Sequence, residues 1–310
     1  LVRTLRNAIE TGRLPHAIVL TGVRGVGKTT TARIIAKAIN YTGADGQAGP
    51  TVGPTDDCET CRAIAEDRHP DVIEMDAASR TGVDDIRELI EGVRYRPVSA
   101  RYKVYIIDEV HMLTRNAFNA LLKTLEEPPE HVVFIFATTE IRKVPITVLS
   151  RCMRFDLRRV DQAVLAAHFA RICAREKVGA EDEALAMIGR AADGSVRDGL
   201  SLLDQAIALG GDKVETATVK EMLGLADRTR VYDLFDAVMR GAVPEALAIL
   251  ADLYKGGADP VVVLQDLLEL CHGVTRARLV PEGSDTGLSE AERTRGREMA
   301  EKLSLPALTR

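Results

Sequence analysis

A glycine-rich segment, residues 22–29 (GVRGVGKT), fits the phosphate-binding pattern G-x-x-x-x-G-K-[ST] at every fixed position. An apolar run before it predicts a buried strand, and residues 30–40 after it predict a helix. A strand that turns through glycines into a helix directs several backbone N–H groups at one point, where phosphate binds. Lys28 would reach the β- and γ-phosphates of a nucleotide, and the Thr29 hydroxyl would hold Mg²⁺. The expected nucleotide-binding residues are Gly22, Gly25, Val26, Gly27, Lys28, Thr29 and Thr30.

Two carboxylates, Asp108 and Glu109, end a second apolar run that begins near residue 103. Ligands of parallel α/β sheets bind at the carboxyl edge of the strands, so these acids would lie beside the phosphate-binding loop. Asp108 would help to hold Mg²⁺, and Glu109 would polarise a water for attack on the γ-phosphate. A strand that ends in two solvated acids is the simpler alternative, but the upstream loop favours the catalytic interpretation.

Three further polar residues are candidates whose roles the residue types leave open. Thr139 ends a buried run after Thr138 and could orient the water or sense the γ-phosphate, although a turn-forming Thr pair is the alternative. Arg151 would suit an arginine finger given in trans to the γ-phosphate of a neighbouring subunit, and a surface arginine is the simpler interpretation. Arg197 follows the expected helix cap Ser195, where the helix dipole disfavours a cation unless it faces a phosphate; an exposed arginine is equally compatible.

The pair Cys58 and Cys61 has the C-x-x-C spacing and could supply half of a tetrahedral zinc site. No second pair follows at a suitable spacing, and His69 is the nearest other candidate ligand. Two reduced thiols in a surface helix are the simpler interpretation, which we slightly favour, so zinc stays an uncertain expectation.

The composition is that of an ordinary globular protein: 310 residues, 46% hydrophobic and 28% charged, with a net charge of −5. The acidic balance argues against a protein that coats nucleic acid by bulk charge. The absence of Trp argues against a base-stacking platform. No apolar run reaches the length of a membrane span, so no membrane association is expected. Five cysteines with one C-x-x-C pair suggest a reducing cytosol, and we expect a cytoplasmic protein.

The pattern of elements changes along the chain. The first half alternates short apolar strands with helices, which predicts a parallel α/β sheet, and residues 41–57 predict an insertion loop. After about residue 159 the pattern predicts helices and, at 281–286, a loop. The predicted strands are 18–21, 72–76, 104–108 and 132–137, and the predicted helices are 83–94, 115–127, 164–176, 182–192, 195–209, 216–223, 229–239, 243–253 and 260–279.

Several stretches in this order resemble the gamma/tau subunits of bacterial DNA polymerase III, which are the AAA+ ATPases of the sliding-clamp loader. The stretches LLKTLEEPP and LSRC, at 121–129 and 149–152, are more specific to clamp loaders than the phosphate-binding loop. The resemblance covers nearly the whole chain and is clearest over residues 14–205. It is carried by residues 22–29, 76–79, 105–113, 119–129, 137–140, 149–152 and 194–206.

The resemblance implies a role for each candidate. Lys28 and Thr29 match the ATP and Mg²⁺ residues, and Asp108 and Glu109 match the Walker B acids. The matches to Thr139, Arg151 and Arg197 imply a sensor, a trans-acting arginine finger and a lid arginine that contacts the γ-phosphate in the same subunit. The implied fold is a P-loop AAA+ domain with a parallel sheet (1–159, with an insertion or possible zinc module at 41–69), a small helical lid (160–225) and an all-α collar for oligomerisation (226–310), which we expect to be truncated.

The implied function is that of an ATP-driven motor that opens the clamp and releases it onto primed DNA. The implied partners are delta-type and delta-prime-type subunits and copies of the chain in a pentamer, the ring-shaped clamp, primed DNA, and the replicative polymerase through residues beyond 310. Tyr41 stands where the family has its first zinc cysteine, and Leu1 lacks the preceding segment that helps to cradle adenine, so we expect a fragment. The alternatives are a DNA-translocating AAA+ motor such as a branch-migration helicase, and a non-hydrolysing scaffold subunit.

Overall fold

The computed structural model describes residues 1–223, 228–279 and 290–308. The chain forms two compact units: residues 1–160 together with 194–198, and residues 161–193 together with 199–310. The first unit carries the glycine-rich segment and the Asp-Glu pair. The predicted loop at 281–286 lies outside the described residues.

A five-stranded, fully parallel sheet forms the centre of the first unit, with the strand order β2-β3-β4-β1-β5. β4 lies between β1 and β3, so the strand that ends in the Thr pair separates the strands that lead to the phosphate-binding loop and to the acids. The four predicted strands are confirmed, whereas the edge strand β5 was not predicted. The strands are β1 (Ala17–Thr21), β2 (Val72–Asp76), β3 (Lys103–Asp108), β4 (Val132–Thr138) and β5 (Met153–Asp156).

The central strands are buried on both faces of the sheet, because helices pack on each side. Along β4, Phe134 and Phe136 enter one hydrophobic cluster, and Val133 and Ile135 enter the other. This alternation explains why β4 is a run of six apolar residues followed by the buried Thr138 rather than an amphipathic strand. The helices of this unit are α1 (Val2–Glu10), α2 (Lys28–Asn40), α3 (Glu59–Ala65), α4 (Val83–Val93), α5 (Arg115–Glu126) and α6 (Ile146–Leu149).

The segment between α2 and α3 contains no regular element, which confirms the predicted insertion loop at 41–57. The helix α1 was not predicted. Its buried apolar residues are Leu5 and Ala8, too few to give a clear helical period in a nine-residue stretch.

The second unit is helical apart from one short parallel pair, β6 (Gly179–Ala180) with β7 (Lys213–Val214), which was not predicted. The predicted helices are present to within a few residues, and α14 and α15 are additional. They are α7 (Gln162–Glu176), α8 (Asp182–Ala191), α9 (Val196–Gly210), α10 (Thr216–Met222), α11 (Arg228–Met239), α12 (Val243–Lys255), α13 (Pro260–Leu279), α14 (Glu290–Lys302) and α15 (Leu305–Leu308). None of the described helices is both long and apolar enough to cross a lipid bilayer.

Candidate nucleotide-binding site

The glycine-rich segment connects β1 to α2 in the way that the sequence predicts. Gly25 and Gly27 adopt left-handed backbone conformations, with φ of 74° and 90°, which residues with a side chain rarely adopt. Lys28 opens α2, and its Nζ donates hydrogen bonds of 3.0 Å to the carbonyl oxygens of Gly22 and Val23. The lysine ammonium therefore lies against the phosphate-binding loop, which immediately precedes α2.

Two glycines of the loop are required by close packing. A Cβ at Gly22 would lie 2.5 Å from the Leu157 carbonyl oxygen, and a Cβ at Gly25 would lie 2.0 Å from Ser195 Oγ. The Gly25 carbonyl oxygen accepts from the backbone N–H of Val196 at 3.0 Å. The start of α9 is therefore joined directly to the phosphate-binding loop, with space for no side chain at this contact.

The predicted cap at the start of α9 is present, because Ser195 Oγ accepts from the backbone N–H of Asp198 at 3.2 Å. Arg197 lies in the first turn of that helix, and its charge acts on Lys28. Burial lowers the pKa of Lys28, Glu109 and Asp108 oppose that shift, and Arg197 adds to it. Two cations and two carboxylates thus share this edge of the sheet.

The carboxylate of Asp108 contacts the predicted Mg²⁺-binding threonine. Thr29 Oγ1 donates to Asp108 Oδ2 at 2.5 Å, across 79 residues of sequence. Asp108 Oδ1 accepts from the Glu109 backbone N–H at 2.8 Å. A hydroxyl and a carboxylate supply the oxygen ligands that Mg²⁺ prefers, so these two residues fit the implied ion and would hold it.

Glu109 leaves the end of β3 in a left-handed conformation, with φ of 46°. Its Oε2 accepts from Thr139 Oγ1 at 2.9 Å and from the Thr139 backbone N–H at 3.3 Å. A non-glycine residue in this backbone region is uncommon and is often found at functional sites. The ends of β3 and β4 therefore hold the predicted catalytic carboxylate against the predicted sensor threonine.

His111 is a site residue that the sequence interpretation missed. Its Nδ1 lies 2.9 Å from Thr138 Oγ1 and 3.3 Å from Glu109 Oε2. The histidine follows the acids in the sequence Asp-Glu-Val-His, and a 3₁₀ turn over Val110–Met112 returns its ring to the end of β4. The sequence signal that could have indicated His111 is its position as a titratable residue directly after the two candidate catalytic acids and one valine.

Arg151 makes a different set of contacts. Its Nη2 forms an ion pair with Glu126 Oε1 at 2.6 Å, and its Nη1 donates to the Thr147 carbonyl oxygen at 2.5 Å. Glu126 ends α5, within the LLKTLEEPP stretch. Of the predicted site residues, the structure brings together Lys28, Thr29, Asp108, Glu109, Thr139 and Arg197. Arg151 instead contacts Glu126 and Thr147.

The residues around the cysteine pair do not fit a zinc ion. Cys58 and Cys61 are both buried, and Thr42 Oγ1 lies 3.3 Å from Cys58 Sγ. His69 is engaged elsewhere, since its Nδ1 accepts from the Asp71 backbone N–H at 3.1 Å. Within the described ranges, no three His, Cys, Asp or Glu side chains are grouped so that they could hold a metal ion. Two thiols fall short of the four ligands of a structural zinc site.

The two thiols differ in acidity. Burial disfavours the Cys58 thiolate, but hydrogen bonds from Thr42 and from Cys61 outweigh it and lower the pKa of Cys58 to about 7. Burial, with the neighbouring Cys58, raises the pKa of Cys61 to about 12. Cys58 Sγ accepts from the backbone N–H of Cys61 at 3.4 Å and so caps α3.

Three family models match successive parts of the chain. Residues 1–161 match the model described as DNA polymerase III, delta subunit. Residues 164–212 match the ATPase lid domain of the DNA polymerase III clamp loader subunit, and residues 214–310 match domain III of the gamma and tau subunits. The chain belongs to the DNA polymerase III gamma/tau family. The predicted P-loop fold with a helical lid and a helical C-terminal region is thereby confirmed.

Curated relatives agree with this membership. The chain is 44% identical over 284 residues to the tau/gamma subunit of Haemophilus influenzae and 43% identical over 296 residues to the tau subunit of Escherichia coli. It spans 41% and 45% of those two proteins. It is also 39% identical to the gamma subunit of Buchnera aphidicola, of which it spans 76%, using 91% of its own length.

Solved structures with a similar fold include the Thermotoga maritima RuvB Holliday junction branch migration motor. The TM-score is 0.52 at 19% identity, covering 76% of this chain and 74% of that one. A single-residue variant of the same protein gives a TM-score of 0.53 at 19% identity and covers 85% of each chain. At this identity the likeness describes the fold alone.

Proposed function

We propose that this chain is the ATP-hydrolysing motor of a bacterial clamp loader, acting in the cytoplasm. The observation that carries the proposal is the convergence of Lys28, Thr29, Asp108 and Glu109 at one edge of the sheet. Two of these residues belong to the phosphate-binding loop and two to the end of β3. The membership of the chain in the gamma/tau family adds to this observation. The site supports ATP hydrolysis assisted by Mg²⁺.

The residues divide the work between binding and chemistry. Lys28 and the loop N–H groups bind the phosphates, and Thr29 with Asp108 would hold Mg²⁺, whose positive charge offsets charge on the phosphate oxygens. Glu109 accepts a proton or a hydrogen bond from the attacking water. Thr139 donates to the Glu109 carboxylate. A shift of Thr139 when the γ-phosphate is bound or lost would therefore move the Glu109 carboxylate as well.

Arg197 and Arg151 serve the γ-phosphate from two sides. Arg197 lies in the first turn of α9, which is hydrogen-bonded to the loop at Gly25, so it contacts the nucleotide of its own subunit. Arg151 acts in trans on the nucleotide of the next subunit, where a fixed fork of donors stabilises transition-state charge. Its ion pair with Glu126 aims the guanidinium while the neighbouring site is not engaged.

ATP drives the work by favouring one arrangement of the subunits over another. ATP bound between subunits would stabilise the arrangement that opens the clamp and grips primed DNA, because a ligand shifts an equilibrium only by its differential affinity. Hydrolysis removes that preference and releases the clamp. The partners would be delta-type and delta-prime-type subunits, copies of this chain in a pentamer, and the replicative polymerase.

We propose three domains within this chain: the nucleotide-binding domain at 1–159, the lid at 160–225 and the collar at 226–310. The family models end at 161 and begin again at 164, which supports the first division, whereas their second limit, at 212/214, lies earlier than the proposed one; the chain packs as two compact units. Zinc has no place in the proposal, because the described residues offer only two thiols at the insertion.

The test is steady-state ATP hydrolysis by the chain assembled with its partner subunits, with and without primed DNA and sliding clamp. Strong stimulation that requires both DNA and clamp is the expected result. Stimulation by DNA alone, indifferent to the clamp, would favour a translocating motor instead. No turnover in the full-length assembled complex would favour a scaffold subunit.

A further inference from the structure

We propose that His111 is a positioning residue for Glu109, and this inference rests on the proposed ATPase function. The imidazole is buried, with 6% of its side chain exposed, and it lies in the 3₁₀ turn that directly follows Glu109. Its Nδ1 lies 3.3 Å from Glu109 Oε2, and its Nε2 lies 3.5 Å from Glu140 Oε1. The ring therefore stands between the carboxylate that acts on water and a second acid just beyond the end of β4.

The contacts assign a proton to Nδ1. That nitrogen faces Thr138 Oγ1 at 2.9 Å as well as Glu109 Oε2, and a carboxylate oxygen can only accept. A bare Nδ1 lone pair could accept from the Thr138 hydroxyl, but it would repel the negative oxygen of Glu109. With the proton on Nδ1, the ring donates to Thr138 Oγ1, which also accepts from the Glu140 backbone N–H at 3.0 Å, and the N–H lies beside the Glu109 carboxylate.

Three polar groups lie against the same oxygen of the Glu109 carboxylate. Oε2 accepts from the Thr139 hydroxyl and from the Thr139 backbone N–H, and His111 Nδ1 lies 3.3 Å from it. The other oxygen, Oε1, is thereby left to accept from the attacking water. Thr139 alone would leave the carboxylate free to rotate about the contact, whereas the buried ring of His111, held in a different element, limits that rotation.

The backbone explains why a residue two positions after the carboxylate can do this. The left-handed conformation of Glu109 reverses the chain, and Val110 is fully buried, which anchors the turn. His111 is thus held by the fold and does not depend on ligand to reach its place. A small misplacement of a catalytic group lowers the rate strongly, by up to about a hundredfold per ångström, so a fixed support is valuable here.

The test compares His111→Asn with His111→Gln in the assembled complex. The amide nitrogen of Asn occupies about the place of Nδ1, whereas that of Gln occupies about the place of Nε2. We expect His111→Asn to retain most of the clamp- and DNA-stimulated kcat. We expect His111→Gln and His111→Ala to lose it by at least about tenfold, with the Kd for ATP unchanged.

Three results would overturn the inference: wild-type kcat in His111→Ala, equal losses in the Asn and Gln variants, or a loss that follows weakened ATP binding or a lowered melting temperature. These outcomes are separate from the failure of the proposed function. If the wild-type complex itself does not turn over ATP, the proposed function fails before the variants are compared.

Discussion

The phosphate-binding loop and the cysteine pair both have residue types that could bind a ligand, but only at the loop does the fold bring the further binding groups together. At the phosphate-binding loop, side chains that follow three different strands meet within hydrogen-bond distance. At the cysteine pair, the polar groups bond to one another instead: Thr42 to Cys58, and Tyr41 to Asp57 at 3.0 Å.

The difference follows from where each region lies in the fold. The loop and the acids occupy the carboxyl edge of a parallel sheet, and that edge brings together residues that are far apart in sequence. The cysteines begin the short helix α3 after a loop without regular structure, so no strand edge brings further ligands to them. A chemical pattern becomes a site where the fold supplies the remaining groups.

The largest effect is expected from Lys28→Ala, which should abolish measurable ATP binding because the buried ammonium reaches the phosphates. Equilibrium titration with a fluorescent ATP analogue measures it. Lys37→Ala, later in the same helix, is the matched control and should bind normally. A normal affinity for ATP in Lys28→Ala would show that the glycine-rich loop is not the nucleotide-binding site.

Arg151→Ala should bind ATP normally and lose stimulated hydrolysis by about a thousandfold, the usual worth of an arginine finger. Arg154→Ala, an exposed arginine paired with Asp156 in β5, is the control and should keep the wild-type rate. Complexes in which a wild-type neighbour supplies the arginine should recover hydrolysis at that interface. A wild-type rate in Arg151→Ala would remove this residue from the mechanism.

Two glycines with the same backbone conformation sharpen the comparison between the regions. Gly25 and Gly46 both have φ of 74°, but only at Gly25 would a Cβ collide with another group. We expect Gly46→Ala, in the insertion loop, to cost about 1 kcal/mol from the backbone alone, and Gly25→Ala to cost at least about 2 kcal/mol. Thermal melting of the two variants measures this, and equal shifts would contradict the close contact with Ser195.

Asp71→Asn should destabilise the fold at neutral pH by about 1–3 kcal/mol. Burial alone would raise the pKa of Asp71. Backbone hydrogen bonds from Ala100, Ser99 and Val98 outweigh burial and lower that pKa below its ordinary value. The stabilisation is therefore complete above the ordinary pKa and is lost as the pH falls through the lowered one.

The difference in melting temperature between wild type and Asp71→Asn, followed from pH 7 to pH 3, should narrow as the pH falls below the ordinary pKa of an aspartate. Asp67→Asn is a suitable control, because Asp67 is exposed and its left-handed backbone suits Asn. A difference that stays constant with pH would show that the carboxylate charge is not what stabilises this loop.

The smallest effect is expected from chelation. Because the described residues offer two thiols and no further ligands nearby, a zinc chelator should leave the melting temperature unchanged. Cys58→Ser should cost no more than about 1 kcal/mol, since a serine also caps a helix well. Stoichiometric zinc in the purified protein, with a lower melting temperature after chelation, would contradict this.

The sequence was sufficient to predict the central sheet, because its strands are uninterrupted apolar runs with few competing interpretations. It missed β5, whose residues Arg154 and Asp156 are exposed at the sheet edge and interrupt the apolar pattern. Edge strands lack the burial on both faces that makes central strands visible.

His111 was missed for another reason. Periodicity and spacing describe regular elements, whereas this ring reaches the site through a single left-handed residue and one 3₁₀ turn. The partners of Arg151 were equally hidden, because Glu126 lies 25 residues earlier on a different helix. Contacts of this kind depend on how the helices pack against the sheet.

The most direct measurement is a crystal structure of the chain with a non-hydrolysable ATP analogue and Mn²⁺, located by its anomalous signal. We predict the ion beside Thr29 Oγ1 and Asp108, with the γ-phosphate between Lys28 and Glu109. A nucleotide bound away from residues 22–29, or an ion that neither Thr29 nor Asp108 approaches, would contradict the proposal that this edge of the sheet is the ATPase site.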